Sequence, residues 1–99
     1  MISLCHININ SIKKHKDELL AKFANYDILS VNETNLRCEQ SFALSGYNIF
    51  RNDRDGRGGG VLLAVKANIK CRELINKTVN QNEVIAVEVK VNKIGPILI

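Results

Sequence analysis

The protein has 99 residues, of which 45% are hydrophobic and 24% are charged, and it carries a formal net charge of +4. This length allows one small domain or part of a larger one, and this composition excludes an intrinsically disordered chain. The positive charge permits a polyanionic partner such as a nucleic acid but does not require one.

The cysteines and the hydropathy of the sequence indicate the cellular compartment. The three cysteines, Cys5, Cys38 and Cys71, form no CxxC pair, which favours free thiols in a reducing compartment over a zinc site. No apolar run is long enough to span a membrane, and the apolar start lacks the basic segment of a signal peptide. We therefore expect an intracellular protein with no membrane partner.

The first third of the chain predicts a strand, a helix and a second strand. Residues 1–10 form a mostly apolar run that ends in amides, and residues 27–34 form another run that reaches a carboxylate. Between them apolar side chains recur at helical spacing, with Ser11 or Asn10 as the capping residue. The apolar positions are Ile12, Leu19, Leu20 and Phe23. This βαβ pattern, over about thirty residues, predicts two parallel strands joined by a right-handed crossover.

Asn8 and Glu33 are the candidate site residues that this unit brings together. Parallel strands have their carboxyl ends at one edge of the sheet, where open α/β sheets bind their ligands. An amide oxygen beside a carboxylate suits Mg²⁺, although a single carboxylate needs further ligands from elsewhere. The alternative is an ordinary strand end at which the acid meets water. His6 shares a strand face with Asn8, and we expect it to be a hydrogen-bonded packing residue.

The middle of the chain predicts a β-hairpin over residues 47–66 with a long basic tip. This region carries Arg51, Arg54 and Arg57, whose guanidinium groups match phosphate geometry and are candidates for DNA binding. The alternative is a solvated loop in which neighbouring aspartates cancel part of the charge. The glycine-rich run at 56–60 is not a P-loop, because a strand follows it and the Gly-Lys-Ser/Thr ending is absent. We expect its glycines to allow tight turning or close backbone packing.

The last third of the chain predicts further strands. Residues 68–82 are predicted to form a polar loop with a short strand near 69–74, and the alternation from Ile85 to Val91 predicts a half-buried strand. A turn then leads into an apolar strand at 96–99, where the sequence stops. Because a strand ending there lacks partners, we interpret residues 1–99 as a partial domain truncated at its C-terminus.

Five short motifs in register resemble the endonuclease/exonuclease/phosphatase superfamily, and within it the N-terminal endonuclease domain of jockey-like non-LTR retrotransposons. The motifs are Ile7-Asn8-Ile9-Asn10-Ser11-Ile12, Asn32-Glu33-Thr34-Asn35-Leu36, Gly46-Tyr47, Arg51-Asn52-Asp53-Arg54 and Gly58-Gly59-Gly60-Val61. The likeness covers nearly the whole chain but only the first part of that domain. It implies an α/β fold, the N-terminal part of a four-layer α/β sandwich in which a βαβ unit is followed by mainly antiparallel strands.

The resemblance also implies a chemistry. In the family, the residues matching Asn8 and Glu33 hold or orient a catalytic divalent ion, normally Mg²⁺ with Mn²⁺ as a substitute, and an activated water cleaves a phosphate ester. The retrotransposon enzymes nick target DNA in the nucleus. The exposed 3′ hydroxyl then primes a reverse transcriptase that lies farther along the polyprotein.

Departures from the family pattern limit this expectation. The family's catalytic tyrosine, its Asp-x-Asn pair and its Ser-Asp-His motif belong to the second half of the domain and are absent from these residues. We therefore expect the chain to be inactive alone. Ser11 stands where many relatives have glycine, a turn substitution expected to be harmless. The alternatives are a fragment of another superfamily member, either a phosphatase or a repair nuclease, and a non-enzymatic truncated remnant.

Overall fold

The computed structural model describes residues 2–54, 58–91 and 95–98 of the chain. Its elements are β1 (Leu4–Asn8), α1 (Lys16–Phe23), β2 (Ile28–Asn32), β3 (Tyr47–Asn52), β4 (Val61–Lys66), β5 (Cys71–Val79), β6 (Asn82–Val91) and β7 (Gly95–Leu98). They form a four-stranded sheet, a second antiparallel sheet and one helix, which confirms the predicted α/β class and a partial α/β sandwich. Among the described residues, no helix is long and apolar enough to cross a membrane.

The four-stranded sheet has the strand order β1-β2-β4-β3. β1 and β2 are parallel, as the βαβ pattern predicts, while β4 runs antiparallel to both of its neighbours. β3 and β4 are the two arms of the predicted hairpin. Leu62 to Val65 of β4 are all buried, because this central strand is covered on both faces. The second sheet has the order β5-β6-β7, and its strand β6 packs against β3 and β4.

Apolar side chains cover both faces of the four-stranded sheet. The cluster on the helix side consists of Ile12, Leu19, Leu29, Val31, Leu36, Leu44, Leu62 and Ala64. The cluster between the two sheets consists of Ile28, Leu63, Val65, Val87 and Val89. Successive residues of β2 and β4 enter alternate clusters, since neighbouring side chains of a strand point to opposite faces. The described part of the molecule is therefore layered as helix, four-stranded sheet and three-stranded sheet.

The helix begins later than the sequence predicts. α1 starts at Lys16, and His15 precedes it without a side-chain capping bond, so the prediction of Ser11 or Asn10 as the cap is wrong. Both of those residues have positive φ, whereas a capping residue adopts the β region. The physical reason is that the backbone here continues the pairing between the strands: the amide of Ser11 donates to the carbonyl of Glu33 at 2.9 Å.

A nine-residue strand replaces most of the loop predicted at 68–82. β5 pairs with β6 as an antiparallel hairpin, and the two turn residues Asn80 and Gln81 both have positive φ, which is the geometry of a type I′ turn. The polar side chains that indicated a loop are exposed on this strand. Their extended conformation comes from backbone pairing with β6, a tertiary effect that side-chain periodicity does not carry.

The two remaining strand predictions agree with the structure. The half-buried strand predicted at 85–91 is part of β6, with Val87 and Val89 buried. The strand predicted at the end of the sequence is β7. It pairs with β6, so the expectation that this strand lacks a partner is wrong on that side. Residues 92–94 of the predicted turn lie outside the described residues.

Candidate metal site and phosphate-binding residues

The carboxyl ends of β1 and β2 form one rim of the four-stranded sheet. Asn8 is level with Asn32 in the parallel register, and Glu33 follows Asn32 directly. The row continues across the sheet, because Asn32 lies opposite Val61 and Val61 lies opposite Asn52. The two candidate metal residues therefore lie at the same rim, with Asn8 exposed and Glu33 half-buried.

Backbone hydrogen bonds tie the segment that contains Glu33 to the end of β1. The amide of Ser11 donates to the carbonyl of Glu33 at 2.9 Å, and the amide of Ile12 donates to the carbonyl of Thr34 at 3.0 Å. Glu33 has a φ of 57°, a left-handed conformation that is uncommon for this residue type. The surrounding hydrogen bonds therefore hold the Glu33 backbone in a conformation that it would seldom adopt by itself.

Residues 58–60 form a glycine loop on the opposite side of this segment. Its carbonyl groups accept from the next two amides: Thr34 donates to Gly60 at 3.3 Å and Asn35 donates to Gly59 at 2.8 Å. All three glycines have positive φ. A Cβ on Gly60 would lie 2.5 Å from the Thr34 hydroxyl oxygen, so the backbone approaches too closely for any side chain. This agrees with the predicted role of the glycines in close backbone packing.

Amide side chains lie at the ends of the strands along this rim. Asn35 donates from its Nδ2 to the Oδ1 of Asn10 at 3.3 Å, which joins the two segments that follow β1 and β2. Three buried amide atoms, Asn32 Oδ1, Asn35 Oδ1 and Asn52 Nδ2, have no hydrogen-bond partner within the described part of the chain. Buried polar atoms are normally paired, so the two oxygens are acceptors available to a cation or its water shell. The sequence reasoning missed these asparagines, although the amides after each strand were a visible signal.

The donor set fits a hydrated Mg²⁺ in type but supplies only one side of a site. Carboxylate and amide oxygens are the ligands that Mg²⁺ takes, and the ion usually keeps several waters. Within residues 2–54, 58–91 and 95–98, no group of three His, Cys, Asp or Glu side chains could hold a metal ion. Glu33 is the carboxylate that the sequence predicts as a ligand, and a complete site needs ligands from further residues.

The three arginines considered for DNA binding have different environments. Arg51 pairs with Asp53 at 2.8 Å, donates to a backbone carbonyl as well and has a side chain only 19% exposed. Its guanidinium is therefore committed to Asp53 and to the carbonyl of Arg37 in the loop after β2. Arg54 has a side chain 48% exposed and donates through Nε to Glu83 at 3.0 Å, so it is the more accessible of these two. Arg57 lies outside the described residues, and DNA contact by all three stays a prediction.

Glu83 is a charged residue of the site region that the sequence reasoning missed. Its side chain is only 6% exposed, and its Oε1 accepts hydrogen bonds from the Gly60 amide at 2.9 Å and from Arg54 at 3.0 Å. Burial acts to raise the pKa of Glu83, but the Gly60 N–H and the Arg54 guanidinium outweigh it and lower that pKa below its ordinary value of 4.5. The available signal was an acid at the start of an alternating, half-buried strand.

His6 and Ser30 form a separate polar pair on the face between the sheets. The His6 Nδ1 and the Ser30 hydroxyl are 2.9 Å apart, and both residues line a cleft of about 280 Å³ that also touches Asn32 and Glu83. The predicted hydrogen bond of His6 is therefore present, although its side chain is exposed and not packed. In the described residues the hydrogen-bond partner of His6 is this hydroxyl and not a carboxylate.

Comparison with known proteins identifies the fold. No protein-family model and no curated protein matches the sequence. Among solved structures, the chain is similar to an AP endonuclease from Archaeoglobus fulgidus, with a TM-score of 0.64 and 19% sequence identity. The match covers 93% of this chain and 38% of that chain, so this chain spans well under half the length of that endonuclease. At this identity the likeness shows the fold alone, and the chain has an endonuclease-like α/β fold.

Proposed function

We propose that this chain is part of a Mg²⁺-dependent DNA endonuclease domain of the kind with which non-LTR retrotransposons nick target DNA. One observation carries the proposal: Asn8 and Glu33 end neighbouring parallel strands at one rim of a fold similar to that of an AP endonuclease. The sequence motifs that resemble the retrotransposon enzymes contain both residues. The partial coverage of the larger endonuclease supports the proposal that the rest of the domain supplies the remaining ligands and catalytic groups.

In this proposal Glu33 holds the ion and Asn8 helps to position it. Mn²⁺ can replace Mg²⁺ at the site. When bound, the metal ion stabilises the charge that develops on the phosphodiester and on the leaving oxygen. The chain's own contribution is to fix Glu33 between the end of β1 and the glycine loop. Arg54 and Arg57 contact DNA phosphates, and Arg51 supports the hairpin that carries them. The intact protein acts on nuclear DNA and carries a reverse transcriptase beyond the endonuclease domain.

The first test measures divalent-ion binding by Glu33→Ala. We expect the wild-type chain to bind Mn²⁺ weakly and the variant to lose at least about tenfold in affinity, because it loses the carboxylate proposed to hold the ion. Titration followed by electron paramagnetic resonance gives the affinity, and Glu39→Ala, which removes an exposed carboxylate from the loop at 37–40, is the matched control. Equal affinities for Glu33→Ala and the wild type would contradict the metal assignment.

The second test concerns cleavage by the 99-residue chain alone. We expect no nicking of supercoiled plasmid in Mg²⁺, because this chain lacks the family's general base and its Asp-x-Asn pair. Metal-dependent nicking that Glu33→Ala abolishes would show instead that these residues suffice for catalysis.

A repair-type nuclease is the second candidate, and the likeness to an AP endonuclease is the observation that favours it over a phosphatase. The reading frame beyond residue 99 distinguishes the two nucleases. A frame that continues into a reverse transcriptase supports the retrotransposon enzyme, and a frame that completes a free-standing nuclease supports the repair enzyme.

A further inference from the structure

The inward-facing row of β6 contains one charged residue. Val87 and Val89 of this row are buried in the cluster between the sheets, Ile85 packs against that cluster, and Glu83 occupies the next position of the alternation. The Glu83 side chain is only 6% exposed. A buried carboxylate destabilises the fold unless it is hydrogen-bonded, so its two bonds explain why it can lie there.

The bond to Gly60 connects the second sheet, through the glycine loop, to the segment after β2. Glu83 accepts from the amide of Gly60 at 2.9 Å. The carbonyl of the same glycine accepts from Thr34, which is 1% exposed and directly follows Glu33. The path from the Glu83 carboxylate to the backbone of Glu33 therefore runs through two residues, Gly60 and the buried Thr34.

The contact between the glycine loop and Thr34 is tight enough to transmit a displacement. There is no space for even a methyl group at Gly60, because its Cβ would clash with the Thr34 hydroxyl oxygen. Arg54 closes over the neighbouring glycine, where a Cβ on Gly59 would clash with its guanidinium. Since Arg54 also bonds to Glu83, the loop is held from both sides by a single carboxylate.

We infer that Glu83 is a positioning residue for Glu33: by anchoring Gly60 it fixes the segment 33–35 and so sets where the candidate metal-binding carboxylate lies. This inference rests on the proposed function, because it assigns Glu83 a role in the metal site without contact with the ion. The same anchor makes the site dependent on the docking of the second sheet. Loss of the Glu83 bonds releases the glycine loop while both candidate ligands remain in the chain.

The test compares Glu83→Ala and Glu83→Gln with Glu88→Ala. Glu88 is a matched control, because it lies on the same strand and pairs with an arginine, Arg72, at 2.9 Å. Within the described residues its side-chain hydrogen bond goes to Arg72 and not to the glycine loop. Amide hydrogen exchange at Thr34 and Asn35 and the Kd for Mn²⁺ are measured in each variant.

We expect Glu83→Ala to speed exchange of both amides by about tenfold and to raise the Kd for Mn²⁺ by about tenfold, the effect typical of residues that support metal ligands. Glu83→Gln keeps one acceptor and the shape of the side chain, so we expect a smaller change in the same direction. Glu83→Gln also provides the measurement if Glu83→Ala does not fold. Glu88→Ala is expected to leave both readouts at the wild-type value.

Each failure has a distinct signature. Exchange rates and a Kd in both Glu83 variants that match those of Glu88→Ala, with Glu33→Ala still weakening Mn²⁺ binding, would overturn the inference and leave the proposed function intact. A wild-type chain that binds no Mn²⁺, or binds it independently of Glu33, would overturn the proposed function and with it the metal-positioning role. Exchange at Thr34 and Asn35 would still decide in that case whether Glu83 anchors the segment.

Discussion

Six described residues other than glycine have a positive φ, and four of them lie at the candidate site. The four are Asn10, Ser11, Glu33 and Asn35. Asparagine tolerates the left-handed region, but serine and glutamate do so at a cost that surrounding contacts must offset. Here the offset is visible, since the Ser11 amide bonds to the carbonyl of Glu33. Backbone strain of this kind is typical of functional sites.

Ser11→Gly is predicted to stabilise the protein. Ser11 has a φ of 89°, which glycine adopts without strain, so the free energy of unfolding is expected to rise by about 1 kcal/mol. The serine is therefore held in a strained conformation, and the expectation that this turn substitution is harmless stays a prediction that this variant tests. Urea denaturation measures the change.

Asn80→Gly is the control for that substitution. Asn80 has a φ of 50° in the type I′ turn, a conformation that asparagine already favours, so its replacement is expected to be nearly neutral. A Ser11→Gly protein that is less stable than the wild type would show that the serine side chain makes a contribution larger than the backbone strain.

Stability is predicted to fall in acid through Glu83. The pKa of Glu83 is lower in the folded chain than its ordinary value of 4.5, so the stabilisation from its hydrogen bonds is complete above that value. It is lost as the pH falls through the lower, folded-state pKa. Glu83→Gln, which cannot ionise, is expected to have a lower free energy of unfolding at neutral pH and a shallower decline below about pH 4.5. Parallel declines in the two proteins would assign the acid sensitivity to other carboxylates.

At the scale of elements, hydrophobic patterning identified the strands that are apolar on at least one face. The runs that became β1, β2 and β4 were predictable because their side chains enter the two clusters of the core. β5 was not, because every residue of it after Cys71 is exposed and its conformation depends on pairing with β6. The predicted start of α1 is wrong for a similar reason. The backbone hydrogen bond from Ser11 to Glu33 prevents Ser11 from acting as a helix cap, although its side chain is of a type that favours capping.

Tyr47 joins two elements and offers a test of how they are held. Its hydroxyl donates to the carbonyl of Tyr26 at 2.7 Å and lies 3.1 Å from that of Ala24, which ties the start of β3 to the segment after α1. Burial and the nearby Asp27 raise the pKa of Tyr47, so it stays a donor. Tyr47→Phe is predicted to lower the free energy of unfolding by about 1 kcal/mol in urea denaturation.

Tyr26→Phe is the matched control for this prediction. The Tyr26 hydroxyl has no hydrogen-bond partner among the side chains that the structure describes, so its removal is expected to change stability by less than about 0.5 kcal/mol. Equal losses in the two variants would mean that the Tyr47 hydrogen bonds add nothing to the stability of this junction.

At the scale of the molecule, the layers leave apolar groups in contact with solvent. Leu4 on β1 and Leu74, Ile75 and Val79 on β5 are each at least 40% exposed. Such surface favours association or marginal folding in a small domain. We predict that the 99-residue chain self-associates or unfolds with low cooperativity, as measured by light scattering and by circular dichroism during heating.

The double variant Ile75→Thr with Val79→Thr tests whether β5 is responsible. Threonine keeps the β-branched shape that suits a strand but reduces the exposed apolar area, so association is expected to weaken. A wild-type chain with monomeric mass and a sharp thermal transition would contradict the prediction.

The sequence by itself determined the class of the fold and the rim at which a site could lie. Apolar runs of strand length around a helical segment predict a βαβ unit, and the parallel strands of that unit bring Asn8 and Glu33 to one edge. These conclusions follow from the local hydrophobic pattern and from the order of the elements along the chain, both of which can be read directly from the sequence.

Only the tertiary structure decided how Glu33 is held. The bonds from Ser11, the close approach of Gly60 to Thr34 and the buried carboxylate of Glu83 join residues far apart in the chain. A local sequence pattern does not predict these contacts, because a backbone carbonyl or a glycine has no side chain whose chemistry indicates its partner. The arrangement of the site depends on such contacts, which form only when the two sheets pack together.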